Sequence, residues 1–342
     1  MMAGRRGKKH SQPASMFGPS DGSESAVSSD GYSLDSLSDG EAVVDCMIKQ
    51  GRDIVMQAIS TYHPIGMVAA FSGGNDSIVT THFSATEFFS RVIHCNTGIG
   101  LKQTTEHVRR VCERFGWDYV EEVAVPEGRT KSTTDEQLPI DGWQDGLTAY
   151  EEFVLNFGFP GPGQHPRMYQ RLKERSIRRY VRRIKDGTPR GSKVLVISGI
   201  RNDESSIRAG YKRAVQQDPG NSAVIWANPF YWRSAEEFEI YRQEFGLPRN
   251  PVKDQIGISG ECMCGAFRES DAERLAVRRV DPEFSEYLDR LEAKVHERGF
   301  PWDWGQRPPK WWMEMKRGQG FLIEMGDPEF TPMCVGCIRG RK

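Results

Sequence analysis

The chain has 342 residues, including 35 glycines, 8 tryptophans and 7 cysteines, and a formal net charge of -1. That length holds one large or two modest domains with ample core, and near-neutrality supplies no molecule-wide field to select nucleic acid or a membrane, so any such surface must be local. No apolar run approaches the length of a membrane span, no hydrophobic signal core opens the chain, and no internal repeat is visible. The expected setting is cytoplasmic, where clustered cysteines are metal or redox candidates rather than a disulfide framework.

Residues 1–40 are rich in Ser, Gly, Asp, Lys and Arg and poor in large apolar side chains, which predicts a disordered tail. Its basic start (Arg5, Arg6, Lys8, Lys9) reads as solvated. From Glu41 to Tyr62 the positions Val44, Met47, Ile48, Ile54, Val55, Ala58 and Ile59 recur at helical spacing. A buried strand is expected over Gly66–Phe71 and a helix from Ser77 to Phe89. Between them lies Ser72-Gly73-Gly74-Asn75-Asp76-Ser77. Backbone N–H groups of such a turn, with the positive end of the following helix, form an anion site. The two glycines let a phosphate approach without a Cβ in the way, and Ser72 and Ser77 add hydroxyl donors. No Gly-Lys-Ser/Thr follows, so this is not a Walker A loop, and a bare Ser-Gly-Gly turn is also compatible with a plain strand-to-helix connection.

Arg91–Gly98 reads as a second strand ending in the polar turn Asn96-Thr97-Gly98, Gln103–Phe115 as a helix, and Asp118–Val125 as a third strand. Strands alternating with helices imply parallel βαβ units in an α/β, doubly wound, mostly parallel sheet. Ligands of such sheets sit outside the carboxyl ends of the strands, where the Ser72–Ser77 loop and the Asn96–Gly98 turn both fall. Glu127–Asp145 is polar without a period and is expected to be a mobile loop near the site. Gly158–Pro166 is a turn cluster. Met168–Lys185 is helical, with Leu172, Ile177, Tyr180, Val181 and Ile184 on one face. The remainder is Arg171, Lys173, Arg175, Arg178, Arg179, Arg182, Arg183 and Lys185 against Glu174. A charge run is usually a solvated face, but the single sign makes 171–185 a candidate contact for polyphosphate or nucleic acid.

Lys193–Gly199 is the next strand, leading into the charged loop Ile200–Arg208. Arg201 and Arg208 at a strand's carboxyl end suit an anion, because each guanidinium donates paired hydrogen bonds, and Glu204 can orient one of them. Val224–Trp226 is a short strand. Ser234 and Glu237 form a capping box that opens a helix to Phe245. Leu247–Pro251 ends regular structure, and helical patterns return over Ala272–Val280 and Pro282–Glu297. Trp302, Trp304, Trp311 and Trp312 are read as packing over a cysteine site rather than as a stacking platform.

That site is the pair of motifs Cys262-Met263-Cys264 and Cys334-Val335-Gly336-Cys337. Four thiolates in two tight pairs suit an iron–sulfur cluster or zinc, and composition does not separate the two. Cys46, Cys95 and Cys112 lie in apolar contexts and are read as buried hydrophobes, with Cys95 near the crevice.

Four stretches, SGGNDS (72–77), CNTGIG (95–100), GIRNDESSIR (199–208) and NPFYW through LPRNPVKDQIGISGECMC (228–264), form a colinear set that resembles the PAPS reductase (phosphoadenylyl-sulfate reductase) family of the PP-loop superfamily. The resemblance implies an adenine nucleotide alpha-hydrolase-like nucleotide-binding domain over 41–260, followed by a helical, cysteine-bearing segment over 261–342. It implies ATP, PAPS or APS with magnesium, with the phosphates on Gly73, Gly74, Asp76 and Ser77. Ser72, Asn96, Thr97, Gly98, Gly199 and Glu204 would surround the nucleotide, and Asp76, Arg201 and Arg208 would act on it. Asp76 would hold the magnesium or cap the helix. Reductases of this family end in Glu-Cys-Gly and carry a Cys-Cys pair upstream; this chain ends Cys337-Ile338-Arg339-Gly340-Arg341-Lys342, and residues 165–169 contain no cysteine. A PP-loop domain of this kind is similar to the DndC-like proteins of DNA phosphorothioation and, more loosely, to tRNA thiolation enzymes. The expectation is therefore ATP cleavage to AMP and pyrophosphate, activating an acceptor for sulfur transfer assisted by a 4Fe-4S cluster, with zinc as the alternative metal. Nucleic acid is a candidate acceptor, and a cysteine desulfurase or thioredoxin-like protein a candidate donor. The alternatives are thiol-dependent PAPS or APS reduction, and a non-catalytic nucleotide-binding redox module.

Overall fold

The computed structural model describes residues 39–126, 146–202, 213–266 and 271–318, and the structural statements below concern these. The short apolar runs become strands β1 (Gly66–Ala70), β2 (Arg91–Asn96), β3 (Tyr119–Val123), β4 (Val194–Ile197), β5 (Val215–Gln217) and β6 (Val224–Ala227). They form a six-stranded sheet in the order β3-β2-β1-β4-β6-β5. Every pairing is parallel except that of β5 with β6. Chain order reverses between β1 and β4, so the carboxyl ends of these strands open the crevice where such sheets bind ligands.

The helices are α1 (Asp39–Tyr62), α2 (Asn75–Phe88), α3 (Lys102–Arg114), α4 (Ala149–Phe157), α5 (His165–Tyr169), α6 (Arg175–Ile184), α7 (Ala235–Glu244), α8 (Pro251–Ile256), α9 (Asp271–Val280), α10 (Pro282–Glu297) and α11 (Lys310–Gly318). β4 and β6 are buried along their whole length because the sheet is covered on both faces. The period-two alternation divides them. Leu195, Ile197 and Ile225 pack with residues of α1, α2, α3 and α7, whereas Val194, Val196, Val224 and Trp226 pack with Ile177, Tyr180 and Val181 of α6. A third core joins Ile99, Ala149, Tyr150, Phe153 and Leu172 to Val252, Met263, Cys264, Leu288, Trp302 and Trp304, on both sides of position 260. None of the described helices is long and apolar enough to cross a membrane.

Strands β1, β2, β3, β4 and β6 and the helices α1, α2, α3, α7, α9 and α10 lie where the sequence puts them; β5, antiparallel to β6, and α11 carry no expectation of their own. Four differences have local causes. α4 carries no expectation of its own, yet Thr148 and Glu151 form a reciprocal capping box at its start, with Glu151 N–H donating to Thr148 Oγ1 at 3.1 Å and Thr148 N–H to Glu151 Oε2 at 2.8 Å. Pro166, expected in a turn cluster, stands in the first turn of α5, where the N–H it lacks has no intrahelical partner to lose. The expected Met168–Lys185 helix is interrupted by a π-helical turn over Gln170–Glu174. Pro251, expected to end regular structure, instead opens α8 behind the cap of Asn250. The tail over 1–38, the loop over 127–145, Glu204, Arg208, Cys334 and Cys337 lie outside the described residues.

Candidate functional site

β1 runs through Phe71 into a turn in which Gly73 takes a φ of +76° and Gly74 becomes the N-cap of the 14-residue helix α2. Gly74 contributes no side-chain cap, which leaves the first-turn N–H groups of α2 for an acceptor from outside. The serine hydroxyls brace the turn: Ser72 Oγ donates to Ser77 Oγ at 3.0 Å, and Ser77 Oγ to the Gly74 carbonyl at 2.9 Å. The two glycines serve different ends. A Cβ on Gly73 would lie 2.9 Å from Val108 Cγ2 and 3.0 Å from Thr104 Cγ2, so the packing of α3 requires its absence. A Cβ on Gly74 would meet nothing nearer than Ser72 Oγ at 3.4 Å. The protein's own packing makes no demand for glycine there.

The wall opposite comes from the carboxyl end of β4. Gly199 passes so close to α2 that a Cβ would sit 3.0 Å from the Asp76 carbonyl oxygen. Arg201, buried over the ring of Phe238, reaches Asp76 Oδ2 at 3.3 Å. Asp76 therefore does not cap the helix, as half of the sequence expectation had it. The cap position belongs to Gly74, and the Asp76 carboxylate is shared with Arg201 across the crevice.

On the β2 side the side chains hold the turn. Asn96 Oδ1 accepts from Gly98 N–H at 3.0 Å, and its Nδ2 donates to Glu121 Oε1 at 2.8 Å. Glu121 also accepts from Arg109 at 2.8 Å and from Tyr119 OH at 2.9 Å. Burial opposes the charge of Glu121, yet the hydrogen bonds from Arg109 and Asn96 outweigh it and hold the carboxyl at about 2. Thr97 is fully buried and donates to the Glu261 carbonyl at 2.8 Å.

That last bond belongs to a seam joining the crevice to the first cysteine pair. Leu101 N–H donates to the Gly260 carbonyl and Met263 N–H to the Ile99 carbonyl, each at 2.8 Å. Gly100 lies so close that a Cβ would be 2.5 Å from the Glu261 carbonyl oxygen. Cys262 is partly buried and Cys264 buried. A hydrogen bond with Cys264 and burial push the Cys262 thiol well up, and Lys173 pulls the other way. Lys173, delivered by the π-turn, forms a buried ion pair with Glu261. Tyr150 OH donates to the Cys264 carbonyl at 2.9 Å, and Trp304 Nε1 to the Met263 carbonyl at 2.7 Å. Trp302, Trp304 and Trp312 thus pack as expected, while Trp311 is exposed. Among the described residues no three ligand side chains converge on a metal position; Cys262 and Cys264 supply two soft donors side by side. Cys95 and Cys112 are buried as expected, and burial pushes the Cys112 thiol up to about 12. Cys46 is a correction: it is exposed on α1, with Arg233 Nη2 3.2 Å from its sulfur.

The model of the phosphoadenosine phosphosulfate reductase domain matches residues 66–264, more than half of the 342-residue chain. The chain belongs to the phosphoadenosine phosphosulfate reductase family. The family match opens at β1 and closes on Cys264, so it takes in the Ser72–Ser77 loop, the Asn96–Gly98 turn, Arg201 and the first cysteine pair. No curated protein sequence matches the chain. Among solved structures, the phosphoadenylyl-sulfate reductase of Candida auris, in a phosphate complex, is similar at 17% identity over 64% of this chain and 92% of that one, with a TM-score of 0.40. Yeast FAD synthetase in complex with FAD is similar at 11% identity over 82% and 89%, with a TM-score of 0.40. The NH3-dependent NAD synthetase of Campylobacter jejuni is similar at 15% identity over 80% and 99%, with a TM-score of 0.34.

In this member of the phosphosulfate reductase family the basic segment 171–185 is not the unopposed row of cations its sequence suggests. Arg171 pairs with Glu152 at 3.3 Å, Lys173 with Glu261, Arg178 with Glu174, and Arg179 and Arg183 both with the fully buried Glu122. Apart from Glu174, the carboxylates come from other elements, which is why the segment alone reads as nearly single-signed. Asn250, Thr104, Tyr150 and the Lys173–Glu261 pair were not singled out in the sequence. The one available signal was Asn250-Pro251, an N-cap residue followed by proline at the first helical position.

Proposed function

We propose that the chain is a PP-loop enzyme of sulfur metabolism that binds the polyphosphate of an adenine nucleotide on the Ser72–Ser77 loop and cleaves ATP to AMP and pyrophosphate, activating an acceptor for sulfur transfer. The observation that carries this reading is the Gly74 position: a glycine that the protein's packing does not need, at the uncapped start of a 14-residue helix and at the sheet's topological switch. In the proposed reaction the acceptor's oxygen attacks the α-phosphorus, the α–β phosphoanhydride bond breaks, and pyrophosphate leaves along the loop. A sulfur nucleophile from a desulfurase-type or thioredoxin-like donor then displaces AMP. Gly73, Gly74 and Ser77 would hold the departing pyrophosphate. Arg201 would exchange its contact with Asp76 for the charge developing on the phosphate, and Asp76 would turn to magnesium. Arg208 and Glu204, outside the described residues, belong to the same loop as Arg201 and would share that role.

Cys262 and Cys264 are chemically suited to a soft metal: two thiols side by side, one partly open, at the edge of an apolar core with the Lys173 charge near Cys262. Together with Cys334 and Cys337 they would hold a 4Fe-4S cluster, or zinc in a structural role. With a cysteine on each of its four irons, such a cluster would supply electron transfer or structural support rather than an open iron position. The pairing of Arg171, Lys173, Arg178, Arg179 and Arg183 removes the strongest argument for a nucleic-acid contact on segment 171–185, so the acceptor is identified by assay.

The second reading is thiol-dependent reduction of PAPS or APS, favoured by the family match over 66–264. One experiment separates the two. The protein, purified anaerobically, is incubated with MgATP and candidate acceptors and, in parallel, with PAPS or APS plus a dithiol. AMP and pyrophosphate from ATP, abolished by Arg201→Ala, support the first reading. Sulfite from the sulfonucleotide with ATP left intact replaces it with the second. Nucleotide binding without turnover of either substrate leaves a binding module and sinks both.

A further inference from the structure

We infer that Asn250 is a positioning residue that couples the nucleotide loop to the cysteine segment, so that occupancy of the loop sets the order of the backbone around Cys262. The inference rests on the reading that the Ser72–Ser77 loop holds a nucleotide. Asn250 is completely buried between the two segments. Its Nδ2 donates to the Gly73 carbonyl at 2.9 Å and to the Ser259 carbonyl at 3.0 Å. Its Oδ1 accepts from Val252 N–H at 2.9 Å and caps α8, and its own N–H donates to Asn75 Oδ1 at 3.1 Å. The amide orientation is forced, because the group facing two carbonyl oxygens must be the donor.

Thr104 reinforces the same junction. Its Oγ1 donates to the Ser259 carbonyl at 2.5 Å, and its methyl carbon is the atom a Cβ on Gly73 would meet at 3.0 Å. From Ser259 the chain continues to the cysteines tied on both sides of Cys262: the Gly260 and Glu261 carbonyls accept from Leu101 N–H and Thr97 Oγ1, and Met263 N–H donates to the Ile99 carbonyl. A phosphate settling on the loop fixes the Gly73 peptide, and the carbonyl of that peptide is the one Asn250 grips. The link is therefore one side chain long. Coupling through it is reciprocal: whatever Cys262 and Cys264 hold must change nucleotide affinity by the same factor.

The test is hydrogen–deuterium exchange of the full chain, read in peptides covering 72–78 and 257–264, with and without MgATP. In the wild-type protein MgATP slows exchange in both segments, by about fivefold at the lower end of ordinary coupling. Asn250→Ser keeps a good helix cap for α8 but is too short to reach Gly73. In this variant 72–78 still responds to MgATP and 257–264 no longer does. Adding Thr104→Val removes any residual response. The coupling is overturned if 257–264 responds equally in the variant, as it would if the nucleotide touched Ser259 directly, or if the wild type responds only at 72–78. Should MgATP slow neither segment in the wild type, the nucleotide reading itself has failed, and the variant without ligand decides. A tether predicts faster exchange in 72–78 and 257–264 together; a change confined to 250–256 leaves Asn250 as no more than a cap.

Discussion

Separate alanine substitutions at Gly73 and Gly74 divide what the fold needs from what the ligand needs. At Gly73 the φ of +76° is left-handed, which costs a residue with a Cβ about 1–2 kcal/mol. The added methyl would also stand 2.9 Å from Val108 Cγ2 and 3.0 Å from Thr104 Cγ2, an overpacking worth about 1–3 kcal/mol. Gly73→Ala should therefore lower stability by about 2–5 kcal/mol, a large share of the roughly 5–15 kcal/mol that holds a domain folded. At Gly74 the φ of -78° is open to any residue and the nearest atom would lie at 3.4 Å. Loss of glycine's unfolded-state freedom makes Gly74→Ala neutral or stabilising by about 0.4–1 kcal/mol. Its methyl would nevertheless project where a phosphate oxygen must approach, so MgATP affinity should fall at least tenfold, about 1.4 kcal/mol. Urea titrations read at constant slope give the first pair of numbers and calorimetry gives the second. Wild-type nucleotide affinity in Gly74→Ala would refute the assignment of the cradle; an unshifted midpoint in Gly73→Ala would refute the account of the turn.

Lys173→Met strands the Glu261 carboxylate in a site where the two side chains are only 8% and 6% exposed, and should cost about 3–5 kcal/mol by urea titration. Adding Glu261→Leu should recover most of that, and no recovery would mean the lysine acts otherwise than as a partner charge. Burial lowers the His82 imidazole from 6.5 to about 4, so the unfolded chain takes up a proton in that window and the folded chain does not. Its contribution is whole above pH 6.5 and is lost progressively as pH falls towards 4, an effect of about 3 kcal/mol. His82→Phe should flatten the stability profile between pH 7 and 5, and an unchanged slope would place the titration elsewhere. Anaerobically purified protein should show broad blue-region absorption that Cys262→Ser abolishes, whereas colourless protein containing zinc would remove the redox role.

The parallel strands were legible because strands buried on both faces have little choice of composition: Val194–Ile197 and Val224–Ala227 are uninterrupted apolar runs, and turn residues bound them. The three-residue antiparallel strand β5 is only partly buried and has no such run. The capping box at Ser234 was legible for a similar reason, since two side chains at fixed spacing satisfy backbone groups of the same helix. The same logic applied to Thr148 and Glu151 would have found α4, whose nine residues are too few for a persuasive period. Segment 171–185 misleads because an ion pair needs two partners and the sequence window holds one. Glu122 on β3 lies 57 positions from Arg179, and Glu261 lies 88 from Lys173. Local charge counting therefore assigns to solvent what the fold assigns to carboxylates.

The candidate site shows a sharper version of that limit. Its parts stand out in sequence because their chemistry requires particular residues: glycine at Gly73 and Gly74, thiols at Cys262 and Cys264. Their connection does not, because it runs from side-chain donors to main-chain acceptors. Thr97 reaches the Glu261 carbonyl, Thr104 the Ser259 carbonyl, and Asn250 the carbonyls of Gly73 and Ser259. A carbonyl oxygen is present whatever residue carries it, so the receiving half of each bond leaves no trace in composition. The donating half is a buried Thr or Asn, which reads as an ordinary turn residue until something shows what it faces. Removing one of these buried donors takes a hydrogen bond from a carbonyl of another segment, at a cost that is larger where that oxygen has no second donor and smaller at Ser259, which accepts from both Thr104 and Asn250. The loop and the cysteine segment are thus held as one unit by a few side chains. That is the physical ground for expecting a change at either to be felt at the other.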